Sequence, residues 1–160
     1  MNSTMILHQA FFGGVAAAGF GILFNYPHRL LVLCFTSGAL ALAARTVGQE
    51  LGQSLPEATF FAALLVALLD RCWWQQEQHL RRSVLAVVGC IPMVPGALAA
   101  RGLQGLFELM HAPSGEAAQP AILALETLVN AALTLAAIGT ALAIPMLVFP
   151  ARKAEDEISA

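Results

Sequence analysis

From Met5 to Phe24 the chain runs without a single Asp, Glu, Lys or Arg, and further long apolar runs follow it. A helix needs about 20 consecutive apolar residues to cross a ~30 Å hydrocarbon core. Inside that core only structures that pair every backbone N–H and C=O internally can span. These runs therefore leave little choice of fold and are read as transmembrane helices. Charge scarcity points the same way: charged residues are 11% of the 160 and hydrophobic ones 58%. An ordinary soluble domain carries about 25% charged residues, so this chain has too few to cover a surface facing water.

The runs divide into five expected spans, at residues 5–24, 30–47, 55–72, 83–111 and 121–149, with 150–160 as a cytoplasmic tail. The fold class that follows is all-α, a polytopic membrane helix bundle forming one membrane domain in the lipid bilayer. Asn25-Tyr26-Pro27 stops the first span, and the tight connection to Arg29 forces the first two spans antiparallel. Ala16 and Ala18 resemble a signal-cleavage site, but no Lys or Arg precedes the apolar run, so the segment is read as a retained helix. Gly13, Gly14, Ala17, Ala18 and Gly21 give it a small-residue face of the kind that lets lipid-embedded helices approach closely.

Cytoplasmic loops are enriched in Lys and Arg. Five spans put Arg29, Arg71, Arg81, Arg82, Arg152 and Lys153 on one face and only Arg45 and Arg101 on the other, six against two. The N-terminus is therefore expected outside and the C-terminus in the cytoplasm, with Trp73 and Trp74 at the cytoplasmic interface. A net charge of −2 with no basic stripe gives nucleic-acid binding no support. Cys34, Cys72 and Cys90 stand at unrelated spacings and read as buried free thiols, since Cys behaves as a small hydrophobe. No metal pattern or cofactor motif appears. No zinc motif, Ser/His pair or paired aspartates marks an enzyme.

Ile91-Pro92-Met93-Val94-Pro95-Gly96 is the most informative segment. Its two prolines remove two backbone donors and clash with the preceding turn. A continuous helix from Ser83 to His111 would be ~43 Å long, and the break would fall about 12–18 Å from its cytoplasmic start, near the midplane. Broken helices at that depth either line a cavity or are repaired by a neighbouring helix. Where they line one, the N-terminus of the second half-helix attracts anionic groups. Pro95 suits the first helical position, because its missing N–H would be unpaired there anyway.

Phe24-Asn25-Tyr26-Pro27-His28-Arg29 after a Gly-rich first helix, Arg45 at the end of the second, and the Ile91–Gly96 run together resemble the threonine/serine exporter family, with Asn25, Pro27 and Arg29 as motif residues. The chain is most similar to the small component of its two-part version, which is linked to succinate export in bacteria. That resemblance covers about Val15 to Leu106 and is weaker through the fifth span. It implies export, a bacterial inner-membrane location and a separate larger membrane component as partner, with this chain as the C-terminal half alone. It leaves the substrate open among small carboxylates such as succinate, threonine and serine.

Several polar residues have two readings. Arg45 is either a counter-charge for a carboxylate or a side chain snorkelling to headgroups. Arg101, five residues beyond Gly96, either faces the pathway or the outer interface. Pro92, Pro95, Gly96, Ala97, Leu98, Arg101 and Arg45 are the candidate substrate-binding set. Glu126 and Asn130, four apart and so on one helix face, are candidates for coupling, since an ionisable group within a span is costly. Asp70 and Arg71 read as an interfacial pair, and Leu103, Leu106, Phe107 and Met110 as a core or lipid face. The leading function is a transporter subunit in complex with the larger component or as a homo-oligomer. The alternative is a membrane assembly protein whose Pro–Gly break serves packing alone.

Overall fold

The computed structural model describes residues 3–72, 84–111 and 118–148. They form α1 (Ser3–Leu23), α2 (His28–Glu50), α3 (Leu55–Cys72), α4 (Val84–Cys90), a 3-10 turn at Ile91–Met93, α5 (Gly96–Leu109) and α6 (Ala118–Val148), with no strand among the described residues. Helices α1, α2 and α6 are each long and apolar enough to cross a membrane. α4 with its 3-10 turn and α5 make up a fourth such length, bent by 42°. α3 has 18 residues and carries three charges, Glu57, Asp70 and Arg71, at its ends, and is not among them. Trp73, Trp74, Arg81, Arg82, Ser83, Arg152, Lys153 and the expected tail lie outside the described residues.

The two tight connections are built by the same device. At the end of α1, Asn25 takes the left-handed φ of 58°. Tyr26 N–H then reaches Gly21 C=O at 3.0 Å and Asn25 N–H reaches Ile22 C=O at 2.9 Å. Those two bonds define a Schellman cap, in which Asn is one of the few residues that tolerate the left-handed position. Pro27 follows in extended conformation and opens α2. At the far end of α2, Gly52 at φ 88° plays the part of Asn25. Gln53 N–H bonds Gly48 C=O and Gly52 N–H bonds Gln49 C=O. The start of α3 is fixed by Ser54 N–H donating to the Glu57 carboxylate at 2.9 Å, half of a capping box. Such caps let α2 run beyond its expected 30–47 at both ends.

α2 is the hub, packing against α1, α3 and α4, while α6 bridges α3 and α5. Gly13, Gly14, Ala17 and Gly21 are the buried residues of α1. A methyl group added at Gly38 would meet Ala17 and the Gly13 backbone, and one at Gly14 would meet the Phe35 ring. These glycines are what allow the two backbones to touch. The core of α2, α3, α4 and α6 is built of small residues such as Ala41, Ala62, Ala63 and Ala86 around Val66 and Met93. Outside it, large apolar side chains including Leu7, Phe11, Ile22, Phe107 and Leu147 are exposed, a surface suited to lipid or to another membrane helix. Thr46, Thr59, Thr127, Thr134 and Thr140 donate their hydroxyls to the carbonyl four residues back, at 2.7 to 2.8 Å. No hydroxyl of that set needs water.

Candidate functional site

The Pro92–Gly96 segment divides one helical path in two. Cys90 ends α4, a single 3-10 turn carries Pro92, and Val94 N–H returns to Ile91 C=O at 3.1 Å. Pro95 sits at φ −81° and ψ 52°, close to an inverse γ-turn, and Gly96 N–H accordingly bonds Val94 C=O at 2.9 Å. Pro95 is the cap residue of α5 and Gly96 its first helical residue. The expected placement of Pro95 inside the first turn is thus corrected by one position, because its ψ is not helical. Ala99 N–H closes the first α-helical bond to Pro95 C=O at 3.0 Å. Among the described residues no backbone carbonyl across the break takes the N–H of Ala97 or Leu98.

Breaking the helix also frees the carbonyl of Met93, whose ordinary partner would be Ala97 N–H. Arg45 Nη1 donates to it at 3.2 Å. An unpaired buried carbonyl costs about 1–3 kcal/mol, so the guanidinium holds the break open at the point where α2 meets it. Met93 is itself the largest fully buried side chain described, which pins the turn in the core. Arg45 Nε, by contrast, is buried without a hydrogen-bond partner, and such a group calls for an explanation. The guanidinium therefore has one donor committed to the fold and one uncommitted.

Ser37 Oγ donates to Leu85 C=O at 3.1 Å. This pair and Arg45–Met93 are each 48 residues apart, so α2 and α4 run parallel in constant register. Met93 lies opposite Arg45, five residues before the end of α2. Relative to α2 the break is thus nearer that end than halfway.

The other candidates are spread out. Gly96, Ala97 and Arg101 are exposed and Leu98 is half-buried. A methyl group at Gly96 would meet nothing, so the start of α5 is open on the surface of this chain. α5 packs on α6 through Gly102 and Gly105, which face Leu128 and Ala124, and this turns Arg101 outward. Glu126 is exposed and Asn130 half-buried, its carbonyl taken by Thr134. Asn25, Pro27 and Arg29 are exposed at the first turn. Two of these motif residues have a direct structural reason, the left-handed cap at Asn25 and the extended entry at Pro27.

One residue lies deeper in the fold than its place in the sequence suggests. Asp70 is enclosed by the fold: it is 9% exposed and shares a cavity wall with Ala86 of α4. Ala86 adjoins Leu85, the partner of Ser37, which stands about 14 Å along α2 from His28. Asp70 lines a cavity of about 30 Å³ together with Arg71, Ala86, Leu142, Pro145 and Met146. Its place near the end of an apolar run concealed this, since only the register of α3 against α4 and α6 sets its depth. Cys34 and Cys90 are buried free thiols, and among the described residues no three His, Cys, Asp or Glu gather as a metal site.

Residues 9–148 match the family described as Threonine/Serine exporter, ThrE. A protein of Haemophilus influenzae described only as uncharacterized is 28% identical over 154 residues, covering 92% of this chain and 49% of that protein. The chain thus spans about half the length of this curated relative. No solved structure matches it.

Proposed function

The chain belongs to the threonine/serine exporter family, and from that premise we propose that it is one subunit of an inner-membrane secondary exporter of small carboxylates. The observation that carries this reading is the pairing of a broken helix with a half-buried arginine whose Nε is buried. Arg45 holds Met93 C=O and keeps Nε uncommitted, and three residues beyond Met93 the open start of α5 presents the N–H groups of Ala97 and Leu98. Unpaired N–H groups at a helix N-terminus carry the positive end of its dipole and attract anions. The guanidinium adds the formal charge and a donor geometry matched to carboxylates. Gly96 leaves the approach to the backbone clear.

In this reading α3 is also a crossing, which brings the spans to five with the N-terminus outside. The exposed start of α5 and the outward Arg101 meet a second half, supplied by the larger membrane component or by another copy of the chain. The half-length match to the relative supports a missing half. Succinate, threonine and serine all carry the carboxylate that the break would recognise.

The test is export of labelled succinate, threonine and serine from cells carrying this chain, with and without the larger component. Export should need both chains, and Pro95→Ala with Gly96→Leu should abolish it while leaving membrane insertion intact. A double variant that exports normally would overturn the reading in favour of a packing-only break in an assembly protein.

A further inference from the structure

Asp70 is a carboxylate enclosed by α3, α4 and α6. An ionisable group inside a membrane bundle is costly, and such groups mark ion pathways and proton relays. Among the described residues the groups facing it are few. From α3 comes Arg71, from α4 Ala86 and Val87, and from α6 Leu142, Pro145 and Met146. α4 has no charged residue, and Glu126, the one ionisable side chain of α6, is sixteen residues from Leu142, about 24 Å along the helix. Glu57 lies at the opposite end of α3. The α2 residues His28, Arg29, Arg45 and Glu50 do not line the cavity.

Resting on the exporter reading above, we propose that Asp70 is the proton-binding group that couples export to a proton gradient, and that it acts through its hold on α4. The cavity has room for at least one water. Apart from Asp70 and Arg71 its described side chains are apolar. A metal cation of the hard type takes several oxygen ligands, which the described lining does not supply; a proton needs one lone pair. Uptake forms an O–H bond on a carboxylate oxygen and removes one negative charge beside Arg71, and release reverses both without another reactant.

The mechanical consequence follows from the Ala86 contact. Ionised Asp70 stands against Ala86 of α4 across the cavity, and its attraction for a backbone N–H there is roughly twice that of a neutral carboxyl. Protonation weakens it and loosens α4 from α3. α4 leads through Met93 into the 42° bend, so the proton biases the same element whose far end meets Arg45. Pro145, which cannot donate to Ala141 C=O, removes a bond from the α6 wall of the cavity and allows that wall to flex.

The experiment uses membrane vesicles from cells making the full chain with its larger partner. Asp70→Asn should cut proton-driven uphill export about ten-fold or more, while exchange of labelled for unlabelled substrate at equal concentrations stays near the wild-type rate. Asp70→Glu should keep coupled export with a displaced pH profile, and serves if the Asn variant fails to insert. Infrared pH titration of the same vesicles reads the carboxyl directly, its band lost in Asp70→Asn and moved in Asp70→Glu. Uphill export unchanged in Asp70→Asn, or no titration of this carboxyl between about pH 4 and 9, would overturn the proposal. A carboxyl that titrates in a chain exchanging none of the three substrates would keep the proton site and remove the transport reading instead.

Discussion

Arg45 does two jobs with one guanidinium, and they can be separated. Its Nη1 holds the Met93 carbonyl at 3.2 Å, a bond from a charged group worth about 1.5–3 kcal/mol, and in the proposed exporter its charge serves the substrate. A glutamine can still donate to Met93 C=O but carries no charge. Arg45→Gln should therefore insert and keep its thermal stability within about 1–2 kcal/mol, yet lose export of succinate more than export of threonine or serine. Parallel export assays and thermal unfolding in detergent check this, and equal losses for all three substrates would confine Arg45 to a structural role. At this scale the sequence was partly legible. Arg45 and the proline pair stood out because a cation and two helix breakers are rare in apolar runs. Asp70 did not, because two residues before the end of α3 looks like an interface until α4 and α6 are packed over it.

Among elements, the α1–α2 pair shows how small residues determine contact. Gly38 lies where any side chain would strike Ala17 and the Gly13 backbone, whereas Gly19 on the same first helix has nothing within reach. Forcing extra methylenes into a packed interface costs about 1–3 kcal/mol. Gly38→Leu should thus lower the thermal unfolding midpoint in detergent by several degrees, while Gly19→Leu leaves it unchanged or raises it slightly through better helix propensity. Equal effects would show that the glycine face is not the interface. The expected small-residue stripe and this contact coincide because spacings of three and four place those residues on one side of the helix. The partner stripe on α2 was less visible, as Ser37, Gly38 and Ala41 sit in a run whose apolar residues are spread around the helix.

For the whole molecule, orientation is set by charges that mostly lie in the loops. Six of eight cationic residues fall on one face of a five-span arrangement, so reporter fusions at the C-terminus and between Trp74 and Arg82 should both read cytoplasmic. A periplasmic reading from either would reverse the proposed topology. The amino-acid sequence alone determined the solvent, the helical class and the place of the break. Each follows from local chemistry: the length of an apolar run, the absence of a proline N–H, the left-handed tolerance of Asn25. Tertiary structure decided which freed carbonyl Arg45 would hold, how far along α2 the break would lie, and that Asp70 would be enclosed while Glu126 stayed exposed. Those are matters of register between helices distant in sequence. In a chain apolar on nearly every face, periodicity does not say which side meets protein and which meets lipid; only the packing of small residues across helices does.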